Sequence, residues 1–448
     1  MSSRAMVVAC NFPPDASVGT MRTLRLVRHL AESGWDVDVV TVAPDGLRQG
    51  AVIDMALVDK IPREVTVVHA RPLRPFERLS ALVKRRPASR GNSGTSPIEA
   101  AGEATRVASP RSRTRRFLTA VATLPDREVS WLAPAVAAGW ACARRRAPSV
   151  IYSSGPPFTA HLVGLALSRL TGRPWVADFR DPWARAPWRD DRFAFEKRVW
   201  SVLERLVVRS ARAVVFVTDT NRRDFAREYG PAIASRFFLI QNGCDTTEFE
   251  TLAPSRHGSG GPFVLLHAGS LYGGRNPVSL FRALGRAVAT GRLDPAGFRL
   301  RFVGRIGVPG VDLRAFADDV GLRDVVEFVN HVPRAVSLQE MADASALLIV
   351  QPVTTVAIPA KLYEYMAAGK PILALAEPGG ETSELMLRSN AGIAVPAGDE
   401  TAIEHAVLTL VKPASELFRP VDRAFYDGAA RAADLGRLLH EVATEHER

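Results

Sequence analysis

The chain has 448 residues, 47% of them hydrophobic and 23% charged, which is typical of a globular protein too long for a single hydrophobic core. No run approaches the ~18 apolar residues that a helix needs to cross a bilayer, and the three cysteines stand in no metal-binding or redox spacing, which favours a cytoplasmic location. The formal charge of +11 predicts an anionic partner, either a nucleotide, a nucleic acid or an acidic membrane.

Strands and helices alternate along residues 1–250. The apolar run Ala5 to Phe12 predicts a first strand, and the loop PPDASVGTMR separates it from a helix over Thr20 to Ser33. Further strands are predicted at residues 36–42, 65–70, 149–154, 175–179, 213–218 and 237–241. This alternation implies a parallel sheet wound by helices, so we expect a first doubly wound α/β domain over residues 1–250.

One segment interrupts the pattern. Between Lys84 and Arg116 the apolar period disappears and Arg, Ser, Gly, Pro and Ala dominate, which predicts a flexible basic insertion at 84–116. Its end, RSRTRRFLTAVATL, places a run of arginines before a short apolar helix, a composition that suits the surface of an anionic membrane. A solvated loop leading into an ordinary core-facing helix explains the same residues equally well.

A second strand-and-helix series follows a turn-rich stretch. Residues 251–262 (TLAPSRHGSGGP) have the composition of an interdomain linker, and strands at 263–268, 299–303, 326–329, 346–350, 371–376 and 392–395 predict a second doubly wound domain over 263–422. A last helix within 423–448 could cross back onto the first domain. Ligands of such sheets bind beyond the carboxyl ends of the strands, so we expect the two domains to face each other across a cleft.

The stretch IPAKLYEYMAAGKPILALAEP, from Ile358 to Pro378, predicts a short helix followed by a buried strand. Lys361 falls in the first turn of the helix, where the helix dipole disfavours a cation unless an anion binds there too. Glu364 is three residues further on and therefore on nearly the same face. A cation for phosphate and a carboxylate for vicinal hydroxyls would suit a nucleoside diphosphate, whereas the simpler interpretation is a surface Lys–Glu pair.

Two further loops follow strands of the second domain. In GSLYGGRNP, Asn276 can cap the next helix with Pro277 at its first position, so Arg275 stands beside a helix N-terminus. Together with Lys361 it could stabilise a departing diphosphate; on its own it would be interpreted as a solvated loop residue. The loop FVGRIGVPG, with Gly304 and Arg305, is a weaker candidate because glycine turns after strands are common.

The first domain offers candidates on three loops. Gly19 and Arg22 lie at the start of the first helix, which attracts anions, and His161 begins another helix after a strand. The motif DFRDP places Asp178, Arg180 and Asp181 at the end of a strand, as either a structural Asp–Arg pair or an acid/base and hydroxyl-binding group. No cluster of metal-ligand residues is visible, so we expect no obligatory metal, and nucleic-acid binding is the least favoured partner because aromatic residues do not accompany the basic segment.

Several blocks together resemble the family 4 glycosyltransferases of the GT-B fold. The blocks are FPPDASVGTMRTLRLVRHLAESGWDVDVVT, YSSGPPFTAHLVGLAL, VADFRDPW, LIQNGCD, HAGSLYGGRNP, LRFVGR and IPAKLYEYMAAGKPILA. The resemblance implies two Rossmann-like domains, a nucleotide-sugar donor held mainly by the second, and transfer with retention of anomeric configuration without a metal or another cofactor.

The same resemblance assigns roles to individual residues. Glu364 would bind the ribose hydroxyls, Arg275 stands where the family usually has a diphosphate-binding lysine, Lys361 belongs to a PxK variant of that motif, and Gly19 approaches the donor phosphates. Apart from the resemblance, we expect Gly269, Ser270, Gly304 and Arg305 to contact the donor. We expect Arg22, His161 and Arg180 on the acceptor side, with His161 also a catalytic candidate. The chain departs from the family pattern at Val356, where an acidic residue is frequent, at Ser270, where an arginine is frequent, and near Ser154 and Gly155, where a histidine is frequent.

These observations predict a retaining glycosyltransferase that moves a hexose-type sugar from a nucleoside diphosphate to a glycan, lipid-linked or small-molecule hydroxyl. Arg275 and Lys361 would stabilise the leaving diphosphate, and Asp178 or Asp181 would orient the acceptor hydroxyl. A nucleotide-sugar epimerase and a degenerate homologue that binds nucleotide without turnover are the alternatives. We further expect the protein to visit the inner face of an acidic membrane, as a peripheral enzyme of polysaccharide biosynthesis would.

Overall fold

The computed structural model describes residues 3–48, 50–73, 110–187, 192–253, 261–271, 274–352, 354–412 and 421–447, with the backbone only for 110–115 and 447. The chain divides into two compact units, of which the first runs to Gln241 and resumes with Ala429–Arg448 and the second comprises Asn242–Gly428. Residues 84–109 of the predicted basic insertion and residues 254–260 of the predicted linker lie outside the described residues.

The first unit contains a parallel sheet of seven described strands. They are β1 (Arg4–Ala9), β2 (Asp36–Val42), β3 (Thr66–Ala70), β4 (Val150–Gly155), β5 (Trp175–Phe179), β6 (Ala213–Phe216) and β7 (Phe237–Leu239). Their order across the sheet is β3-β2-β1-β4-β5-β6-β7. The order reverses between β1 and β4, which is the place where doubly wound sheets open a crevice beyond the carboxyl ends of their strands.

Helices cover both faces of this sheet. They are α1 (Val18–Glu32), α2 (Pro110–Ala122), α3 (Leu132–Arg146), α4 (Thr159–Thr171), α5 (Ala194–Ser210), α6 (Asp219–Tyr229) and α7 (Pro231–Ala234), with 3-10 turns at Pro44–Gly46, Met55–Leu57 and Val129–Trp131. Successive strand residues point to opposite faces, so Val7 belongs to one apolar cluster and Val8 to the other. Burial on both faces explains why the strands are continuous apolar runs rather than alternating ones.

The second unit repeats the architecture with six described strands. They are β8 (Phe263–Ala268), β9 (Phe298–Val303), β10 (Val326–Val329), β11 (Ala346–Gln351), β12 (Ile372–Ala376) and β13 (Gly392–Val395), in the order β10-β9-β8-β11-β12-β13. Its helices are α8 (Thr247–Glu250), α9 (Val278–Ala289), α10 (Leu313–Asp319), α11 (Arg334–Asp343), α12 (Ala360–Ala367), α13 (Glu381–Ser389) and α14 (Glu400–Val411). The chain order again reverses at the first strand of the unit, between β8 and β11.

The last helix, α15 (Gly428–Glu447), follows a 3-10 turn at Arg423–Phe425 and packs within the first unit. Its apolar face joins the cluster formed by α1 and by the strand residues on that side of the sheet, through Leu435, Leu438 and Leu439. The predicted fold class, with two doubly wound parallel sheets, is therefore confirmed. No helix in the described part of the chain combines the length and the hydropathy needed to span a bilayer.

Candidate active site

In the second unit a glycine directly follows each of the strands β8 and β9, and we call these two residues, Gly269 and Gly304, the glycine floor. Gly269, which follows β8, donates its backbone N–H to the carbonyl of Val303 at 2.8 Å. Gly304, which follows β9, has a φ of +141°, and a β-carbon there would overlap the carbonyl of Gly269. Only glycine suits this position, and the backbone of both loops is thereby left open to close approach by a ligand. The predicted donor residues Ser270 and Arg305 lie exposed on the same two loops.

Helix α12 is held against this edge by its buried side. It begins at Ala360, directly after Pro359. The hydroxyl of Tyr365 accepts a hydrogen bond from the backbone N–H of Ala268 at 2.8 Å. Because the apolar side is buried, Lys361 and Glu364 face outward, with side chains 36% and 16% exposed.

Lys361 lies over the glycine floor. A β-carbon on Gly269 would stand 2.7 Å from Cε of Lys361, so any larger residue at 269 would displace the lysine. The Lys361 ammonium is 3.7 Å from Oε2 of Glu364. The structure therefore brings together the cation and the carboxylate that the sequence paired, and places both beside the loop after β8.

Glu364 has a second cationic neighbour, Arg334 at the start of α11. Nη1 of Arg334 donates to Oε1 of Glu364 at 3.0 Å. The same guanidinium donates to the carboxylate of Glu248 through Nε, at 3.0 Å from Oε2, and through Nη2. Burial lowers the pKa of Arg334, but Glu364 and Glu248 together raise it above its ordinary value. Arg334 thus stays charged and fixes one oxygen of the Glu364 carboxylate.

Arg275 is anchored at the end of β11. Its Nε donates to Oε1 of Gln351, the last residue of that strand, at 3.0 Å. Asn276 accepts a hydrogen bond from the backbone N–H of Val278 at 3.0 Å, and α9 begins at Val278, one residue later than predicted. Arg275 therefore stands three residues before a helix N-terminus. Gly273 of the same loop lies outside the described residues.

Arg275 and Lys361 both lie near a buried histidine, His267. Nδ1 of His267, on β8, donates to the carbonyl of Leu348 at 2.8 Å. The pKa of His267 is lowered to about 4, mainly by burial; the hydrogen bond to Leu348 opposes this shift, and the positive charges of Lys361 and Arg275 contribute to it. Two cations close enough to disfavour the same imidazolium can also act on one anionic group, such as a diphosphate.

The first unit does not present Asp178 and Arg22 as the sequence had suggested. Nε and Nη2 of Arg22 donate to the two oxygens of Asp178, each at 2.9 Å, and Tyr152 and Ser154 donate to Oδ2 at 2.6 and 3.1 Å. Both charged side chains are buried. Asp178 is a structural hub with no solvent exposure, so the prediction that it orients an acceptor hydroxyl is wrong. Arg22 lies in the second turn of α1, not the first, and its guanidinium forms an ion pair with Asp178.

His161 is also a core residue. It is fully buried, its ring stacks on Phe179 with centroids 4.7 Å apart, and Nδ1 lies 2.9 Å from the hydroxyl oxygen of Ser153. Burial lowers its pKa to about 3, so the imidazole is neutral throughout the physiological range. We correct the prediction that His161 is a catalytic residue on the acceptor side, because its side chain has no exposed surface.

Arg180 and Gly19 remain together at the start of α1. The guanidinium of Arg180 occupies the space where a β-carbon on Gly19 would stand, and Nη2 donates to the carbonyl of Pro156. Burial lowers the pKa of Arg180, and the negative charge of the half-buried Asp181 opposes this shift. Among the residues predicted in the first unit, Arg180 therefore remains as a cation beside Gly19 at the N-terminus of α1.

Sequence comparison assigns a family to both units. Residues 19–243 match the family model described as "Glycosyl transferase 4-like domain", and residues 262–413 match "Glycosyl transferases group 1". The chain belongs to the family 4-like glycosyltransferases. The predicted family is thus confirmed. No curated protein shows significant sequence similarity to the chain.

Solved structures similar to this glycosyltransferase share its GT-B fold. Sucrose-phosphate synthase from Thermosynechococcus elongatus superposes with a TM-score of 0.61 at 16% identity, over 99% of this chain and 100% of that one. HepE of Anabaena, in complex with UDP and glucose, gives 0.55 at 15% identity over 99% and 97%. A putative UDP-N-acetylglucosamine 2-epimerase from Listeria monocytogenes gives 0.53 at 11% identity over 98% and 96%. At these identities the similarity shows the fold alone.

Sequence reasoning overlooked Arg334 and His267 in this glycosyltransferase. Arg334 is the first residue of a helix that follows a proline, which is the signal that had singled out Lys361. Its role could therefore have been suspected. His267 carries no such signal, because a histidine within an apolar strand is most often a core residue with its hydrogen bonds satisfied.

Proposed function

We propose that the protein is a retaining glycosyltransferase that moves a sugar from a nucleoside diphosphate to an acceptor hydroxyl without a metal ion. The observation that carries the proposal is the convergence of Lys361, Arg275 and Glu364 on one edge of the second unit. The Lys361 ammonium is 3.7 Å from the Glu364 carboxylate and its stem lies against Gly269 after β8, and Arg275 is hydrogen-bonded to Gln351 at the end of the neighbouring strand β11. A diphosphate and a ribose present the complementary groups, two negative charges and two vicinal hydroxyls.

The two cations would act on the leaving group. As the bond from the sugar to the diphosphate breaks, negative charge grows on the diphosphate, and Lys361 and Arg275 would stabilise it without a metal. Removing one preorganised group of this kind typically costs about 3–4 kcal/mol, a hundredfold or more in rate. Because the charge is largest in the transition state, the loss should fall on turnover rather than on substrate binding.

Glu364 would accept hydrogen bonds from the ribose hydroxyls. Arg334 holds Oε1 of the carboxylate at 3.0 Å, which fixes the orientation of Glu364 before the nucleotide arrives. A carboxylate accepts several hydrogen bonds, so the ion pair with Arg334 leaves capacity for a pair of hydroxyls. Two side chains of one short helix would thus bind the nucleotide, Lys361 at the diphosphate and Glu364 at the ribose.

HepE, which shares the fold, has been crystallised with UDP-glucose, and this makes UDP-glucose the first donor to test. The acceptor would be a glycan, a lipid-linked molecule or a small molecule. The resemblance to the retaining family supports retention of configuration, which a proton NMR spectrum of the first-formed product distinguishes from inversion.

A membrane-linked acceptor is supported by one surface of the first unit, which we call the α2/α5 face. Phe117, Leu118 and Val121 of α2 are exposed, and so are Val202 and Leu206 of α5. The ring of Phe117 lies 5.2 Å from that of Phe195, which joins the two groups. The described side chains of these helices also include Arg116, Lys197, Arg198 and Arg205. Apolar side chains beside such cations suit an anionic bilayer, in keeping with a peripheral enzyme at the inner face of the cell membrane.

An epimerase is the second candidate, because the 2-epimerase from Listeria shares the fold. Epimerases need general acids or bases near the sugar ring. In the first unit Asp178 and His161 are buried and already hydrogen-bonded, which disfavours them for that role. Donor incubated alone separates the candidates, since only an epimerase makes a new nucleotide sugar without an acceptor.

A thermal-shift screen of nucleoside diphosphates and their sugars tests the proposal. A ligand at a hundred times its dissociation constant stabilises by about 2.7 kcal/mol, so the true donor should stand out. Turnover with that donor should then persist in EDTA. A protein that binds a nucleoside diphosphate tightly but turns over no donor would instead be the degenerate homologue to which Val356 points, and a chain that binds none would contradict the proposal altogether.

A further inference from the structure

Beneath Lys361 lies a buried histidine whose second nitrogen has no partner. His267 is on β8, and its residue surface is 5% exposed. Nδ1 is 2.8 Å from the carbonyl of Leu348, which can only accept, so Nδ1 carries the proton and Nε2 carries a lone pair in the neutral ring. Nε2 has no hydrogen-bond partner among the described residues. A buried acceptor in this state is costly and calls for a function.

The stem of Lys361 and this nitrogen of His267 lie on the same side of Gly269. A β-carbon on Gly269 would stand 2.7 Å from Cε of Lys361 and 3.6 Å from Nε2 of His267, so both side chains approach the same point from different elements. The absence of a side chain at 269 is what allows them to meet. The ammonium of Lys361 has three N–H groups and its stem rotates freely about four bonds, so it can turn one N–H toward Nε2.

We propose that His267 is a positioning residue whose Nε2 accepts a hydrogen bond from the Lys361 ammonium and holds that cation over Gly269. The Leu348 carbonyl fixes the tautomer of His267, and strand β8 fixes the position of the imidazole ring. Lys361 would thereby be held between a neutral acceptor and the carboxylate of Glu364, pointing to the place where a diphosphate would lie. The inference rests on the proposed function for its consequence in catalysis, but the proposed hydrogen bond needs no ligand and can be tested without one.

Two substitutions separate the nitrogens of the ring. In H267N the amide nitrogen takes the place of Nδ1 and can still donate to the Leu348 carbonyl, while the acceptor at Nε2 is lost. In H267Q the terminal oxygen reaches the place of Nε2 and restores an acceptor. We expect H267N to lower kcat roughly ten- to a hundredfold with little change in KM, since a misplaced catalytic cation has effects of this size. We expect H267Q to recover most of that loss.

A double-mutant cycle with K361M asks whether His267 acts through the lysine. If it does, H267N lowers kcat no further once Lys361 is gone. A purely structural histidine predicts the opposite, namely equal losses in both backgrounds and no rescue by H267Q. Equal losses, or an H267N enzyme with unchanged kcat, would overturn the inference.

A ligand-free measurement keeps the inference independent of the proposed function. The 15N resonance of His267 Nε2 reports whether that nitrogen accepts a hydrogen bond, and it can be recorded in the wild-type protein and in K361M, where the histidine is intact. We expect the resonance to move toward that of an unbonded nitrogen in K361M but not in the control R305M, which changes an exposed cation of the neighbouring loop. An unmoved resonance in K361M overturns the inference even if donor turnover is found, and a moved one supports it even if no donor is turned over.

Discussion

Nη1 of Arg334 lies 3.0 Å from Oε1 of Glu364, and the same guanidinium binds Glu248 on the far side. The arginine therefore stands between two carboxylates that belong to separate helices, α8 and α12. Its removal would leave Glu364 with Lys361 as its remaining described ionic neighbour, 3.7 Å away. Lys361 would then be drawn toward the carboxylate and away from the proposed diphosphate position.

Substitution R334M is thus expected to weaken nucleoside diphosphate binding about tenfold, or roughly 1.4 kcal/mol, because Glu364 loses its fixed orientation. Isothermal titration calorimetry with UDP or the nucleotide chosen by the thermal-shift screen measures the change. Arg301 provides the matched control, since it also bridges two glutamates in the second unit and has a comparable exposure of 27%. Equal losses in R334M and R301M would show a general effect of charge rather than a role for Arg334.

The Arg22–Asp178 pair predicts a stability effect in the first unit. Replacing Asp178 with Asn leaves the guanidinium of Arg22 buried without its counter-charge, and the loss of one partner of such a pair typically costs about 3–5 kcal/mol. Urea unfolding followed by tryptophan fluorescence measures it. D224N is the control, because Asp224 pairs with Arg227 on the surface and should contribute little. A D178N protein as stable as wild type but inactive would return Asp178 to the catalytic residues.

Acid should destabilise the first unit through His161. Its pKa is about 3 in the folded protein and ordinarily near 6.5, so below pH 6.5 the unfolded chain binds a proton that the folded one does not. Stability is therefore full above pH 6.5 and falls as the pH drops toward 3, by up to about 1.4 kcal/mol per pH unit. Urea unfolding at pH 7 and pH 5 should show a smaller loss in H161N than in wild type.

The exposed His405 supplies the comparison for that series. H405Q is the comparison variant because it removes an exposed imidazole instead of a buried one. If H161N and H405Q lose the same stability between pH 7 and pH 5, the pH dependence arises elsewhere and the buried neutral state of His161 is not its cause.

The α2/α5 face predicts salt-sensitive binding to anionic vesicles. Replacing Phe117, Leu118 and Val121 with serine removes the apolar contacts and should reduce co-sedimentation with vesicles that contain phosphatidylglycerol, while deletion of 84–109 should reduce the electrostatic part. L387S changes a leucine of the second unit that is more exposed than these three residues, and it should bind as wild type does. Binding that ignores both salt and the triple substitution would exclude this face as the membrane contact.

The fold followed from sequence because its determinants are local. Apolar runs such as Ala346–Gln351 and caps such as the glycine after a helix define strands and helices one at a time, and their alternation leaves few topologies. Lys361 and Glu364 could be paired for the same reason, since three residues on one helix fix their separation. Whether Arg275 lies near Lys361 and Glu364 could not be predicted in this way, because it depends on which strands are neighbours in the sheet.

The errors in the first unit have a common physical origin. Asp178 and Arg22 are 156 positions apart in the chain, and nothing local indicates that their side chains meet in the core. A strand-end aspartate and a helix-start arginine have the same sequence signature whether they face a ligand or each other. His161 was misassigned likewise, because burial by Phe179 is a tertiary contact.

The rate of donor turnover by K361A tests the central claim most directly. With the nucleotide sugar that gives the largest thermal shift, wild type and K361A should differ by a hundredfold or more in kcat, with similar stability and a smaller change in KM, because Lys361 acts on charge that develops in the transition state. A K361A enzyme that hydrolyses or transfers the donor at the wild-type rate would contradict the assignment of the diphosphate site.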